Sequence, residues 1–167
     1  MIRAGRRLHA ALATWPDASG WKRISSELLW GVPLIALLAF ATGLARFDPM
    51  PFGPSWLGFF FGLMLVPALG EELVFRALFV PPPGRPFPPA QAVLAVGAFL
   101  LWHPFQALTF GPPWSAIFLD PRFLAVVAVL GTLIVRIYRA SGSIWPCVLI
   151  HWLVVAVWKL LFAGPIG

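Results

Sequence analysis

Charge and cysteine are the two features that this 167-residue chain has least of. Only 11% of its residues are charged, whereas soluble domains carry about 25%. The single cysteine, Cys147, excludes an intramolecular disulfide and a cysteine-rich metal site. The sequence is instead 60% hydrophobic, with a mean hydropathy of +0.87. The shortage of charge together with long apolar runs predicts an integral membrane protein.

The apolar residues are gathered into runs that are separated by stretches rich in proline, glycine or charge. Each run comes close to the about 20 residues that a helix needs to cross a bilayer. We therefore predict an all-α, polytopic membrane helix bundle of about five transmembrane helices. Residues 28–167 are expected to form a single intramembrane helical domain, and residues 1–27 a basic, amphipathic cytoplasmic segment. The predicted apolar segments are 28–45, 55–80, 90–111, 121–138 and 144–163.

Basic residues flank these segments unevenly, and basic loops stay on the cytoplasmic side of a membrane. This asymmetry predicts a cytoplasmic N-terminus and an external C-terminus. The chain has no asparagine and ten arginines against two lysines, a composition that suggests a bacterial source and thus the inner membrane. No basic patch is interleaved with stacking aromatics, so we expect the lipid bilayer and not nucleic acid as a partner. The residues assigned to the inside are Arg3, Arg6, Arg7, Lys22, Arg23, Arg85, Arg136 and Arg139.

Ionisable residues inside the apolar segments are few, and in membrane proteins such residues usually face the bundle interior or a water-filled cavity. Glu72 and Arg76 are four residues apart, so they share a helix face and are expected to pair. Glu71 is rotated about 100° from Glu72 and has no partner on its own helix. We therefore expect Glu72 to be largely structural and Glu71 to be functional. The full set is Glu71, Glu72, Arg76, His103, His151 and Lys159.

Two of these residues are histidines on two other predicted helices. His103 has Phe99 one turn before it on the same face, and Gln106 nearby could supply an amide donor. His151 lies about 12 Å into its helix at 1.5 Å per residue, a depth similar to that of Glu71. The two imidazoles and the Glu71 carboxylate can therefore converge on one water molecule.

Such a set is typical of a hydrolase, in which the carboxylate takes a proton from water and the imidazoles orient it or donate to the oxyanion. The same three residues could instead hold a zinc ion with one open position, although no HExxH motif is present. A third interpretation is a non-catalytic membrane protein, such as a bacteriocin-immunity or scaffold factor. A proton-coupled transporter is less favoured, because the chain shows no internal repeat.

The motifs Glu71-Glu72-xxx-Arg76 and Phe99-xxx-His103, followed by His151 in GSIWPxxLxHW, resemble those of the CPBP family. These intramembrane endopeptidases are related to the type II CAAX prenyl proteases. The resemblance implies hydrolysis of a peptide bond without an acyl-enzyme, in a glutamate-type and metal-free site. It implies that Glu71 and His103 activate the water and that His151 stabilises the oxyanion, with Glu72 and Arg76 in support. The expected substrate is a membrane-associated or C-terminally anchored peptide or protein.

The chain departs from the family pattern at one position. The third motif often continues as HxxxN, and the residue four places after His151 is Val155. The pair of oxyanion donors is therefore incomplete, and Gln106 is our candidate for the missing amide.

Overall fold

Helices make up the regular structure of the computed structural model, which describes residues 2–165. Within that range no strand is present, and Asp48 and Phe162 form only an isolated bridge. The prediction of an all-α fold is confirmed. Two π-helical turns, Met64–Leu69 and Leu73–Leu78, flank the short helix α4, and a 3-10 turn, Pro113–Leu119, precedes α6. The α-helices are α1 (Ile2–Ala13), α2 (Ala18–Ala41), α3 (Pro54–Leu63), α4 (Gly70–Glu72), α5 (Pro89–Thr109), α6 (Pro121–Ser141) and α7 (Trp145–Leu161).

Four helical stretches of the described chain are long and apolar enough to cross a bilayer. They are Ala18–Ala41, Trp56–Leu78, Pro89–Thr109 and Pro121–Ser141. Helix α7, with 17 residues, is about 25 Å long and lies at the short end of spanning lengths. The chain is thus a multi-pass membrane protein, as its composition predicts.

The first span begins earlier than the predicted residue 28. Asp17 caps α2, since its carboxylate accepts a hydrogen bond of 2.6 Å from the Gly20 amide, which is the preferred role of an aspartate at this position. The same bond lowers the pKa of Asp17. Lys22 and Arg23 lie in the first turns of α2 and are exposed. The fall in hydropathy at these residues therefore does not mark the start of the helix.

Helix α1 packs against the ends of other helices. Ala11 on its inner face is buried, and Arg7 Nη2 donates to the Val80 carbonyl at 2.7 Å. The Trp145 indole donates to the Leu12 carbonyl at 2.9 Å. These contacts hold α1 against the end of the second span and the start of α7.

Helix α6 is the centre of the bundle. In its apolar stretch of 18 residues 56% of the residues are buried, against 17% in the corresponding stretch of each of the other three spans. Helix α2 packs closely on it because Gly31 has no side chain. A Cβ atom at Gly31 would lie 2.6 Å from Leu133 Cδ1, and Leu133 is fully buried.

The second span is not the single regular helix that the segment 55–80 predicts. The backbone at Val66 is extended, with φ −134° and ψ 115°, and Pro67 follows it. A proline lacks the N–H that the helix interior needs. The π-helical turns that enclose Glu71 and Glu72 place both carboxylates in an irregular part of the helix, where functional residues are often found.

Candidate active site

Five of the seven predicted site residues line one cavity, and Glu72 and Arg76 lie outside it. Its volume is about 480 Å³, and its wall includes residues of α2, the second span, α5, α6 and α7. Glu71, His103 and His151 all line it, together with Phe99 and Gln106. The structure therefore brings together three residues that are far apart in the sequence.

The ion pair predicted between Glu72 and Arg76 is present. Arg76 Nε lies 3.0 Å from Glu72 Oε2, and both side chains have no exposed surface. The guanidinium carbon lies 4.5 Å from the centroid of the Phe99 ring, a cation–π contact. None of the guanidinium nitrogens has a hydrogen bond of good geometry to a described residue. Charge and the aromatic face thus hold Arg76 in place.

His151 lies between the two adjacent glutamates. Its Nδ1 is 2.9 Å from Glu72 Oε1, and its Nε2 is 3.9 Å from Glu71 Oε2. An ionised carboxylate only accepts hydrogen bonds, so Nδ1 carries the hydrogen and Nε2 faces Glu71. Glu72 thereby fixes the orientation of the imidazole, in addition to pairing with Arg76.

Glu71 has a partner that the sequence did not reveal, which is Trp102 on α5. The indole Nε1 donates to Glu71 Oε1 at 3.0 Å. The other oxygen, Oε2, has no hydrogen-bond partner among the described residues and faces His151. A clue was available, because a buried tryptophan N–H usually finds an acceptor and Trp102 directly precedes His103. Trp102 therefore binds one oxygen of Glu71 and leaves the other facing His151.

His103 is held by its own helix. Its Nδ1 lies 3.0 Å from the Phe99 carbonyl, and because a carbonyl only accepts, Nδ1 is the donor. The rings of Phe99, Phe118 and Phe123 surround the imidazole, with centroids 5.0 to 5.4 Å away. In the described chain no His103 nitrogen lies within 4 Å of a Glu71 oxygen. The predicted water between Glu71 and His103 stays a prediction.

Val155, at the position of the missing asparagine, and Gln106, its proposed replacement, also line the cavity. Val155 stands where the family often has Asn, and it offers no hydrogen-bond donor. The Gln106 side chain lines the same cavity, and its role as a replacement donor stays a prediction.

The zinc alternative depends on how the possible ligand side chains are grouped. Within the part of the chain that the structure describes, no three His, Cys, Asp or Glu side chains are grouped as a metal ion would require. The zinc alternative for Glu71, His103 and His151 stays a prediction.

Comparison with known proteins gives one family. Its sequence profile, type II CAAX prenyl endopeptidase Rce1-like, matches residues 53–157. This range contains all three motifs, from Glu71 to His151. No curated protein and no solved structure matches the chain. Since the match covers more than half of the residues, the chain belongs to the Rce1-like family of type II CAAX prenyl endopeptidases.

Proposed function

We propose that this member of a membrane protease family is a glutamate-type endopeptidase, which hydrolyses a peptide bond with an activated water and forms no acyl-enzyme. One observation carries the proposal. Glu71, His103 and His151 line one cavity, and Trp102 fixes one oxygen of Glu71 while the other is left without a partner among the described residues. An unpaired, buried carboxylate oxygen in a shared cavity suits a general base.

The water is placed between Glu71 and His103. With Nδ1 donating to the Phe99 carbonyl, a neutral His103 presents Nε2 as an acceptor. A water that donates to Glu71 Oε2 and to His103 Nε2 keeps a lone pair directed at the substrate carbonyl. Two hydrogen bonds of ordinary length through one water span gaps longer than 4 Å. As the water oxygen bonds to the carbonyl carbon, its proton passes to Glu71 and then to the departing amine.

His151 serves the oxyanion. Its Nδ1–H is engaged by Glu72, so a protonated His151 offers Nε2–H to the oxygen that gains charge. The Glu72–Arg76 pair holds the ring in this orientation. Gln106 is the proposed second donor, in place of the asparagine that Val155 replaces.

The proposed substrate is a membrane-associated or C-terminally anchored peptide. The cavity wall consists largely of apolar side chains, and Val32 and Phe40 of α2 and Val66 of the second span are also exposed on the outside of the bundle. An apolar peptide could thus reach the site from the lipid. We place the protein in the bacterial inner membrane, with its N-terminus in the cytoplasm and its C-terminus outside.

Replacement of Glu71 by glutamine tests the proposal. Glu71→Gln retains an acceptor for the Trp102 indole but removes the base, so cleavage should fall by at least about 100-fold. The assay uses purified protein in phosphatidylcholine nanodiscs and a mixed peptide library, with products read by mass spectrometry. Glu27→Gln is the matched control, because Glu27 pairs with Arg136 on the outside of the bundle and should leave cleavage unchanged.

Cleavage that survives Glu71→Gln contradicts the hydrolase proposal and favours the non-catalytic alternative. A chelator separates the proposal from the zinc alternative. We expect unchanged activity in chelator, whereas activity that is lost and then restored by zinc would assign the chemistry to the metal.

A further inference from the structure

A second cavity lies where α1 packs against the rest of the bundle, and we call it the α1 cleft. Its volume is about 270 Å³, and its walls come from α1, the segment that follows the second span and the end of α6. It shares no lining residue with the cavity that contains Glu71. The α1 cleft is therefore a separate site at one end of the bundle. Its polar lining residues are Arg7, Thr14, Tyr138 and Ser141.

The walls of the α1 cleft are held in place by arginines that donate to backbone carbonyls. Arg7 Nη2 donates to the Val80 carbonyl at 2.7 Å, which ties α1 to the end of the second span. Arg139 Nη1 donates to the Pro81 carbonyl at 2.9 Å and to the Pro82 carbonyl at 2.6 Å, which ties the next segment to α6. Since three separate segments are already joined around the space, the cleft needs little rearrangement to receive a ligand.

The charge in the α1 cleft is positive. All six acidic side chains of the chain lie in the part that the structure describes, and none is within 4 Å of Arg7. The C-terminal carboxylate is two residues beyond Pro165, which contacts Lys159. Lys159 is about 21 Å along α7 from Trp145, the residue of α7 that contacts α1. No acidic side chain of the protein therefore balances the charge of Arg7.

The hydrogen-bonding groups of the cleft divide into donors and acceptors. A guanidinium has five N–H groups, and the Val80 carbonyl takes one of those of Arg7. Tyr138 is only 2% exposed, and its hydroxyl donates to none of the described residues. The hydroxyls of Thr14 and Ser141 donate to carbonyls of their own helices, so they are left as acceptors. Donors beside a cation suit a phosphate, and the two acceptors suit hydroxyl groups attached to it.

The end of the bundle that contains the cleft carries exposed tryptophans. Trp15 directly follows Thr14 and is 62% exposed, and its ring meets that of Trp21 edge to face at 6.3 Å. Tryptophan is enriched at the level of the lipid headgroups. Ser141 is the last residue of the span Pro121–Ser141. The cleft thus lies at the end of a span, at the depth of the lipid phosphates.

We propose that the α1 cleft binds the headgroup of an anionic phospholipid. Arg7 and the Tyr138 hydroxyl contact the phosphate, and Thr14 and Ser141 accept hydrogen bonds from headgroup hydroxyls such as those of phosphatidylglycerol. The volume of about 270 Å³ lies just below the range of sites for whole drug-sized ligands, so the cleft receives the headgroup while the acyl chains stay in the bilayer. The bound lipid joins α1 to the second span and to α6. None of this depends on the hydrolase function.

Lipid binding to the purified protein tests the proposal without any cleavage assay. The protein is kept in a neutral detergent, phosphatidylglycerol or phosphatidylcholine is titrated in, and bound lipid is measured by native mass spectrometry. Phosphatidylcholine has the same phosphate, but its headgroup carries a cation and no hydroxyl. We expect phosphatidylglycerol to bind about tenfold more tightly, the effect of one charge-assisted contact. Equal affinities for the two lipids would overturn the proposal.

Two neighbouring arginines on α1 provide a matched pair of variants. Arg7→Gln removes the charge but keeps an amide that can donate to the Val80 carbonyl, and it should weaken phosphatidylglycerol binding about tenfold. Arg6 is exposed and does not line the cleft, so Arg6→Gln should change the affinity by less than about twofold. Equal losses in the two variants would show a general attraction of the lipid to a basic helix, and would overturn the proposal.

Tyr138→Phe tests the cleft with a smaller change. It removes only the hydroxyl from a buried ring and leaves the Arg7 contact with Val80 in place, so the fold should be retained. The affinity for phosphatidylglycerol should fall about threefold or more, as for the loss of one hydrogen bond. An unchanged affinity would remove Tyr138 from the site and overturn the proposed arrangement.

Glycerol phosphate separates a lipid headgroup from a free phosphate ester, which has the same charge chemistry. At the same total concentration as phosphatidylglycerol it should leave the lipid bound, because the acyl chains concentrate the lipid in the micelle beside the cleft. Displacement of the lipid by glycerol phosphate would assign the α1 cleft to a soluble phosphate ester and overturn the lipid proposal.

Discussion

Removal of Arg76 should be among the most destabilising single changes in this protein. Arg76 and Glu72 are both fully buried, with 3.0 Å between Nε and Oε2. Arg76→Met leaves the Glu72 carboxylate inside the bundle with one remaining donor, His151 Nδ1 at 2.9 Å. Breaking a buried ion pair on one side costs about 3–5 kcal/mol. We expect a loss of about 4 kcal/mol in the free energy of unfolding.

A second substitution should recover part of that loss. In Glu72→Gln/Arg76→Met no charge is left unpaired, and the amide oxygen of the glutamine still accepts from His151 Nδ1. Neutral replacement of a whole buried pair is often close to harmless. The double variant should therefore regain at least about 2 kcal/mol relative to Arg76→Met, a coupling that additive effects would not give.

The assay is equilibrium unfolding in mixed detergent micelles, followed by tryptophan fluorescence. Arg46→Met is the control, because Arg46 pairs with Asp48 at 3.1 Å and both side chains are exposed, 77% and 58%. An exposed pair contributes at most about 1 kcal/mol. A loss in Arg76→Met no larger than in Arg46→Met would show that water reaches the Glu72–Arg76 pair, and would contradict the expected loss of about 4 kcal/mol.

Two further substitutions test contacts that hold the site and the bundle. Trp102→Phe keeps an aromatic ring but removes the donor to Glu71 Oε1. Because leaving a buried acceptor unsatisfied costs about 1–3 kcal/mol, kcat should fall about tenfold while KM stays nearly constant. An unchanged kcat would contradict a positioning role for Trp102. Gly31→Ala places a methyl group against Leu133 and should lower the free energy of unfolding by about 1–3 kcal/mol. Adding Leu133→Ala should recover part of this loss. Equal stability of Gly31→Ala and the unsubstituted protein would show that α2 and α6 can separate freely.

Local spacing is what made much of this molecule predictable. The Glu72–Arg76 pair follows from a separation of four residues, and apolar runs long enough to cross a bilayer indicate the spans. The start of α2 was missed because exposed basic residues, Lys22 and Arg23, interrupt the hydropathy signal where the helix continues. Hydropathy measures transfer into lipid, whereas the helix begins where Asp17 satisfies a free backbone N–H.

Contacts between distant segments could not be read from the sequence in the same way. Trp102 and Glu71 are 31 residues apart, and no periodicity links a tryptophan on one helix to a carboxylate on another. The interruption at Val66 was also hidden, because the segment remains apolar on both sides of it. Pro67 was visible, but a proline within an apolar run is compatible with a kink as well as with a break.

The adjacent glutamates are best understood through the imidazole between them. The sequence separates Glu71 from Glu72 by about 100° of helix rotation, which suggests unrelated tasks, yet the two carboxylates lie at opposite nitrogens of His151. Glu72 pairs with Arg76, whereas Glu71 lies beside the Nε2 atom of His151. Glu71→Gln therefore removes two things together, the proposed base and a negative charge next to the proposed oxyanion donor. For this reason the proposed water activation and oxyanion stabilisation should fail as one unit, as residues of a single catalytic group do.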